Sequence, residues 1–371
     1  MACMHVRCGF CREECPVYKQ VRIDSYAAKG KLTILYWLLK AHAIERKHQL
    51  EMTDEVVKCI YSCTTCGFCN ETCGFPVSDA IEALRFALVK MGKGPMEAHK
   101  RIEESVKKDS NPYLEPRSAR NSWFPSDIEL SEKSKLCFHV GCTMAYRSPR
   151  VAESIVRILD QADLNFTIMA DESCCGSVLL RSGQRDLARE LAMQNLDRFS
   201  QAQIATVVTG CPGCYRTFAT DYPKLVETVD PPKIMHTTQL LSELLRKRKI
   251  RPKRLKLKVT YHDPCHLGRH SGIYEEPRRI IKSIPGMELV EMDWNRKFAR
   301  CCGAGGGFRG AFGDTSVAIG RERLKDVLET GAEAVVTACP FCERNLRDAA
   351  RETDNPIEVY GLEELLYSTI K

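Results

Sequence analysis

The chain has 371 residues, of which 44% are hydrophobic and 28% are charged, as in ordinary globular proteins with room for two or three domains. Its formal net charge is +7, and its lysines and arginines are scattered apart from one run at 246–254 (RKRKIRPKR). No aromatic residues are interleaved in that run, so we interpret it as a solvated helix end and linker rather than a nucleic-acid surface. The most apolar stretch, Leu32–Leu39, has eight residues, whereas a membrane-spanning helix needs roughly 20.

Cysteine is the outlier of the composition, with 20 residues. Secreted proteins that use cysteine for disulfides are typically small and begin with a signal peptide. The N-terminus (MACMHVRCGFC) has no apolar segment of that kind and already contains motif cysteines. We therefore expect metal-binding thiols in a reducing, anaerobic cytoplasm, and contact with a membrane only through a partner subunit.

In chain order, the cysteines fall into three blocks, at 3–73, 137–214 and 265–342. The first block lies in a region with helical patterns over 31–45 and 78–89, and Ser78 is the predicted N-cap of the second of these helices. A polar, Pro-containing segment at 107–127 follows and indicates a linker.

The second and third blocks repeat one another, which indicates a duplicated domain. Each contains a lone cysteine, then an adjacent pair, then C-x-x-C. The members are Cys142, Cys174, Cys175, Cys211 and Cys214, which recur 123 to 128 residues later as Cys265, Cys301, Cys302, Cys339 and Cys342.

Strand-like and helix-like patterns alternate in both blocks. Strands are predicted at 136–140, 205–209, 257–261 and 334–338, and helices at 149–159, 184–199 and 316–328. This order predicts parallel strands joined by right-handed crossovers. The chain is thus expected to be an α+β multidomain protein: a helical N-terminal module (1–106), a linker (107–130) and two duplicated α/β domains, the first repeat (131–250) and the second repeat (251–371).

The N-terminal module carries a complete cluster-binding motif. Its last four motif cysteines form C-x2-C-x2-C-x3-C, in which three thiolates bind one [4Fe–4S] cubane and the fourth reaches a second cluster. These residues are Cys63, Cys66, Cys69 and Cys73. Two closely spaced triads followed by a fourth cysteine favour clusters over a pair of zinc knuckles.

The earlier triad, Cys8, Cys11 and Cys15, matches the last three positions of the same motif. Its expected first position is His5, and Cys3 lies two residues earlier. We predict that Cys3 supplies the missing thiolate through a wider loop; His5 as ligand and a three-ligand cluster are the alternatives.

By the usual crossing of such motifs, each cubane takes its fourth ligand from the other triad. One cubane is then bound by Cys3, Cys8, Cys11 and Cys73, and the other by Cys63, Cys66, Cys69 and Cys15. Cys59 and Cys137 lie outside the patterns and are predicted to be small buried residues.

In each repeat, C-x-x-C follows a predicted strand and opens a predicted helix, whose N-terminus favours thiolate. Alone, this would suggest a thioredoxin-like dithiol. Five cysteines per domain, however, exceed what a redox dithiol or a tetrahedral zinc site needs.

The ten cysteines, with the Cys-Cys-Gly segments at 174–176 and 301–303, resemble the cysteine-rich CCG domain of the heterodisulfide reductase family. With the N-terminal module ahead of them, the whole chain is similar to the D subunit of these reductases and to the iron–sulfur subunit of glycolate oxidase. In the family, complete CCG motifs bind noncubane [4Fe–4S] clusters, and the substrate disulfide is split between two of them. The resemblance implies up to two noncubane clusters beside two cubanes, with the ten cysteines as the cluster-borne catalytic residues.

Glycines near the last cysteine pair formally match G-x-G-x-x-G (305, 307 and 310). They follow cysteines rather than a strand, which argues against a nucleotide site. Gly303, Gly305 and Gly306 are predicted instead to bring backbone N–H groups close to cluster sulfurs.

Histidines flank Cys265 in the segment YHDPCHLGR. His262, Asp263 and His266 are candidates to protonate a departing thiolate, but a loop-fixing role is favoured for each of them and for Arg269. His139 occupies the position of His262 in the first repeat, so one of the two is explained by the duplication alone.

The resemblance implies two alternative functions. In the first, electrons from a flavoprotein or other donor subunit cross the cubanes and reach the CCG domains, which cleave a disulfide of the coenzyme M–coenzyme B type in a cleft between the repeats. In the second, the chain is a relay between a flavoprotein dehydrogenase, such as a 2-hydroxy-acid oxidase, and a quinone or other carrier. A membrane cytochrome or quinone-reactive subunit is a further expected partner, and nucleic acid is not. The two complete motifs favour the first function.

Overall fold

The computed structural model describes residues 8–43, 52–131, 133–227, 231–353 and 356–370. Cys3 and His5 lie outside these ranges, so the choice between them as cluster ligands remains a prediction. The N-terminal module is helical, as predicted. Its helices are α1 (Phe10–Glu13), α2 (Pro16–Val21), α3 (Ala28–Ala43), α4 (Asp54–Tyr61), α5 (Phe68–Cys73), α6 (Val77–Lys90) and α7 (Glu97–Asp109).

The start of α6 differs from the prediction. Pro76 occupies the N-cap position, and Ser78 lies within the first turn. The Asn70 side chain donates from Nδ2 to Ser78 Oγ at 2.9 Å and accepts from the Ser78 N–H at 2.9 Å. The predicted N-cap was wrong because a side chain from the preceding helix satisfies a free N–H group of the first turn.

The first repeat contains a parallel sheet in the order β1-β2-β3, covered by helices. Its elements are β1 (Leu136–Phe138), α8 (Cys142–Arg147), α9 (Pro149–Gln161), α10 (Ser177–Arg181), α11 (Arg185–Gln201), β2 (Thr206–Thr209), α12 (Pro212–Arg216), a π-helical turn (Thr217–Asp221), α13 (Tyr222–Leu225), β3 (Lys233–His236) and α14 (Thr237–Arg246).

The second repeat contains a parallel sheet in the order β5-β4-β6-β7. Its elements are β4 (Leu257–Tyr261), α15 (Glu275–Ser283), β5 (Met287–Leu289), α16 (Phe308–Ala311), α17 (Gly313–Glu329), β6 (Ala334–Thr337), α18 (Pro340–Arg351), β7 (Glu358–Gly361) and α19 (Leu362–Ile370). The parallel pairing predicted from the strand–helix alternation is confirmed in both repeats.

The two repeats share a hydrophobic core. Helix α9 packs against α19, and α14 packs against α15. Ile158 and Leu241 from the first repeat and Ile280 and Leu366 from the second are all buried in one cluster. Burial of these apolar side chains holds the repeats together and fixes the position of one sheet relative to the other.

The segment predicted as a linker packs against the first repeat instead of forming a solvated tether. Residues 107–109 complete α7, and Asn111 and Arg120 are buried. Arg120 Nη1 donates to Glu172 Oε1 of the first repeat at 2.7 Å. None of the helices in the described ranges combines the length and apolar character needed to cross a membrane.

Candidate functional site

A cavity of about 470 Å³ lies between the repeats, and both C-x-x-C motifs reach it. Strands β2 and β6 lead into these motifs, which form the first turns of α12 and α18. Parallel α/β sheets place their sites at such strand ends. Nine of the ten repeat cysteines line the cavity: Cys142, Cys174, Cys175, Cys211, Cys214, Cys265, Cys302, Cys339 and Cys342.

The cysteine sulfurs contact one another in the same order in both repeats. The lone cysteine contacts the first member of the adjacent pair, and the second member contacts the last cysteine of C-x-x-C. These contacts are Cys142–Cys174 and Cys175–Cys214 in the first repeat, and Cys265–Cys301 and Cys302–Cys342 in the second. The structure thus contains two matching groups of soft ligands, the donor type that suits iron–sulfur clusters.

The second cysteine of each adjacent pair has a thiol pKa below its usual value. Hydrogen bonds from Cys174 and Cys214 lower the pKa of Cys175 to about 6. Those from Cys301 and Cys342 hold the pKa of Cys302 well below its usual value. Thiolate is the form that binds metal.

Buried side chains hold the adjacent pairs through their carbonyl groups. In the first repeat, Asn195 Nδ2 donates to Cys174 O at 3.1 Å, and the Tyr222 hydroxyl donates to Cys175 O at 3.0 Å. In the second, Asn345 Nδ2 donates to Cys302 O at 2.5 Å. The two asparagines lie on non-equivalent helices, α11 and α18, so the duplicated pattern gave no signal for them.

Glu172 fixes the loop that leads to Cys142. It accepts hydrogen bonds from the backbone N–H groups of Val140 at 2.7 Å and Gly141 at 2.9 Å. It also accepts from Arg120 Nη1, while Arg120 Nη2 donates to Cys142 Sγ at 3.3 Å. The Arg120 charge is therefore shared between a carboxylate and a cysteine sulfur.

His262 contacts the cysteines of the second repeat. Its Nδ1 accepts from Arg323 Nε at 3.2 Å, which leaves the ring proton on Nε2. A ring nitrogen of His262 lies within 4.8 Å of the sulfurs of Cys302 and Cys342. Its counterpart His139 lies 3.4 Å from Glu172 Oε2 instead. His262 thus lies beside the cysteine sulfurs, as a proton donor must, whereas His139 lies beside a carboxylate.

His266 lines the cavity, and its Nε2 has no hydrogen-bond partner among the described residues. Exclusion of water, followed by the charge of Arg216, holds the pKa of His266 well below its usual value. The ring is therefore neutral near pH 7, and it can donate a proton to a thiolate only after it has taken one up itself.

The three glycines predicted to approach a cluster fall into two groups. The Gly303 N–H donates to Cys301 Sγ at 3.3 Å. Gly305 and Gly306 line the cavity and press against the N-terminal module, because a Cβ at either position would lie less than 3.0 Å from backbone atoms of Thr64. Gly306 also has a φ of +65°. These two glycines allow two backbones to meet closely.

The N-terminal module brings together the cysteines assigned to one cubane. Cys15, Cys63, Cys66 and Cys69 line a common small cavity, which Cys11 also lines. Helix α1, which carries Cys11, packs against α5, which ends at Cys73. Cys8 and Cys73 are exposed.

The loop from Cys63 to Cys66 lies directly on the second repeat. The sulfurs of Cys66 and Cys301 form a hydrogen bond, and Thr64 Oγ1 lies 3.6 Å from Cys301 Sγ. Arg85, which is fully buried, donates to Cys63 O at 2.7 Å and to Gly306 O at 2.9 Å. The cubane site of the module and the cysteine group of the second repeat are therefore immediate neighbours.

The cavity is cationic. Among the described residues, its lining includes no aspartate, glutamate or lysine, and the charged side chains are all arginines: Arg101, Arg147, Arg181, Arg309 and Arg344. Carboxylates of the chain pair with Arg147, Arg181 and Arg309. Arg344, two residues after Cys342, makes no ion pair within the described part of the chain.

Comparison with protein families identifies both parts of the chain. A cysteine-rich domain family, CCG, matches residues 136–219 and 259–347, and a 4Fe–4S dicluster domain family matches residues 2–77. These matches confirm the family resemblance inferred from the cysteine spacing.

Similar proteins align over almost the whole chain. The D subunit of the dihydromethanophenazine:CoB–CoM heterodisulfide reductase of Methanosarcina barkeri is 36% identical, over 97% of this chain and 92% of that protein. The protein of the same name from Methanosarcina acetivorans is 37% identical, over 95% and 90%. The B subunit of the fumarate reductase (CoM/CoB) of Methanothermobacter marburgensis is 31% identical, over 97% and 71%.

The fold has also been seen in a crystal structure of a hypothetical protein from Helicobacter pylori. The TM-score is 0.62, with 97% of this chain and 71% of that chain covered and 10% sequence identity. At this identity the likeness concerns the fold alone.

Proposed function

This chain belongs to the family of the heterodisulfide reductase D subunit, an iron–sulfur oxidoreductase family, and we propose that it reduces a disulfide in the cavity between its two repeats. The observation that carries the proposal is that cysteines of both complete motifs line the same cavity of about 470 Å³. A relay would need only closely spaced clusters, with no substrate-sized space between the last two.

The residues fit the groups that the family implies. The N-terminal region is a 4Fe–4S dicluster domain, and each repeat adds five cysteines in mutual contact. We propose that these two groups bind noncubane clusters, which when bound supply electrons one at a time. Disulfide cleavage consumes two electrons and two protons, so the S–S bond breaks and two thiols form. The electrons come from a reduced flavoprotein or other donor subunit.

The contacts between the module and the repeats indicate where electrons enter the cavity region. Cys66 of the module contacts Cys301, so electrons that leave the cubane site first meet the second repeat. Two histidines of the second repeat also lie in this region. His266 lines the cavity, and the His262 ring adjoins Cys302. We propose that one of these rings takes up a proton from solvent as the electrons arrive and passes it to the thiolate formed on that side.

The arginines of the cavity suit a disulfide with anionic ends, as in the coenzyme M–coenzyme B heterodisulfide named for the similar proteins. Arg344 is the best placed to bind an anionic group, because no carboxylate of the described chain neutralises it.

Substitution Arg344→Gln is expected to raise KM for such a disulfide about tenfold, corresponding to one charge-assisted hydrogen bond of about 1.4 kcal/mol. The effect on kcat should be small, because Arg344 binds the substrate away from its sulfurs. Steady-state kinetics of the purified complex measure both constants. The matched control is Arg351→Gln, which removes an exposed arginine from the same helix. Equal KM values for the two variants would show that Arg344 does not bind the substrate.

The test of the proposed function is an anaerobic assay of the metallated protein with its native partner subunits. A reduced viologen dye supplies electrons, and the disulfide is the acceptor. We expect two thiols for every two electrons consumed. Reduction of a quinone or flavin carrier without any disulfide turnover would establish the relay function instead.

A further inference from the structure

Arg269 joins the N-terminal module to the second repeat. It lies in the loop after Cys265, between β4 and α15. Its Nε donates to Cys66 O at 2.8 Å, and its Nη1 donates to the carbonyl groups of Ala299 at 2.6 Å and Lys297 at 3.0 Å. One guanidinium therefore holds both the cubane-binding loop and the segment that leads into the adjacent cysteine pair.

The titratable groups that interact most strongly with Arg269 are cysteines. Arg269 makes no ion pair with a carboxylate in the described ranges. Burial by itself would lower its pKa, but interaction with Cys66, Cys265 and Cys301 raises the pKa above its usual value. Its Nη2 is buried and has no hydrogen-bond partner among the described residues. The unused N–H donor belongs to a guanidinium that interacts with three cysteines, and cluster sulfurs accept hydrogen bonds from such donors.

In the first repeat, the arginine beside the cysteines is also paired with a carboxylate. Arg120 Nη2 donates to Cys142 Sγ at 3.3 Å, but its Nη1 donates to the Glu172 carboxylate at 2.7 Å. Both residues are 2% exposed, so the pair is screened little by water. The two five-cysteine groups thus differ in the pairing of a neighbouring arginine, and the group whose arginine lacks a carboxylate partner is the one next to the module.

We infer that Arg269 sets the order of electron transfer by raising the reduction potential of the cluster site in the second repeat and of the cubane site beside it. A nearby cation and an N–H donor both stabilise the more negative, reduced state of a cluster. Arg269 is a positioning residue, and this role rests on the proposed function because it requires clusters at both sites. The neutralised Arg120–Glu172 pair leaves the first repeat with the lower potential.

The test is a redox titration of the purified, fully metallated protein, followed by electron paramagnetic resonance, with no disulfide present. In Arg269→Gln, we expect the midpoint potentials of the adjacent sites to shift downward. In Arg269→Lys, which keeps the positive charge, the potentials should stay close to those of the wild type. The control Arg279→Gln, on an exposed arginine of α15, should leave the potentials unchanged. Unchanged potentials in a fully metallated Arg269→Gln protein would overturn the inference.

A second variant tests the same inference in the other repeat, should Arg269→Gln lose iron. Glu172→Gln keeps one side-chain oxygen as an acceptor for the backbone N–H groups of Val140 and Gly141, which bond different oxygens of Glu172, and it removes the charge that neutralises Arg120. We expect the potential of the first-repeat site to rise. A potential that stays the same or falls would contradict the inference. Because these shifts are measured without substrate, they are independent of whether the protein turns over a disulfide.

Discussion

Substitution of either Cys214 or Cys339 with serine is expected to abolish disulfide reduction, with turnover falling to the background of the assay. Each residue belongs to the C-x-x-C of a different repeat, and both line the shared cavity. If the two sulfurs of the substrate are reduced from opposite sides, loss of either cluster site stops the reaction. The measurement is disulfide-dependent oxidation of a reduced viologen dye.

The control for these variants is Cys137→Ala, because Cys137 is a fully buried cysteine of β1 outside the two cysteine groups. This variant should keep its iron content and its turnover. In Cys214→Ser and Cys339→Ser, the cubanes of the N-terminal module should still accept electrons. Substantial turnover in Cys214→Ser would mean that the second repeat acts alone and that the disulfide is not split between two sites.

Cys66→Ser is expected to remove a cubane and loosen the N-terminal module while the repeats stay folded. The module consists of short helices around small apolar clusters, so the metal contributes much of its stability. The repeats have their own sheets and a large common core. Limited proteolysis should cut the variant within residues 8–90 and leave a stable fragment that contains both repeats.

Cys59→Ser is the matched control for this second experiment. The Cys59 thiol is buried in the same module and donates to Ser25 O at 2.8 Å, which a serine hydroxyl also does. We expect wild-type iron content and protease resistance for this variant. A Cys66→Ser protein that resisted proteolysis as well as the wild type would show that the module folds without its full metal content.

The central parallel strands were predictable from the sequence, whereas three of the four edge strands were not. Strands β2, β4 and β6 contain runs of three or four buried residues, mainly Val, Ala, Thr and Tyr, which is typical of strands covered on both faces. The prediction missed β3, β5 and β7, which are three or four residues long and include the charged residues Lys233, Glu288 and Glu358. Tertiary pairing, rather than local pattern, makes these segments strands.

The cluster ligands were predictable because soft-metal sites need particular residues at short, fixed spacings. The duplicated motifs and their positions after strands also led to the expectation of a cleft between the repeats. The supporting side chains were not predictable. Arg120 comes from the segment interpreted as a linker, and Asn345 has no equivalent at the repeat offset. A loop-fixing role was predicted for Arg269, but its hydrogen bond to Cys66 O was not. Their contacts exist only after three separate parts of the chain have packed together.

The most direct test of the shared-cavity mechanism is the iron and acid-labile sulfide content of anaerobically purified protein. Two cubanes and a cluster in each repeat amount to about 16 iron atoms and about as many sulfides per chain. We expect values near this number. A content of about eight iron atoms, which two cubanes alone would contain, would mean that the repeats bind no clusters and would contradict disulfide cleavage between them.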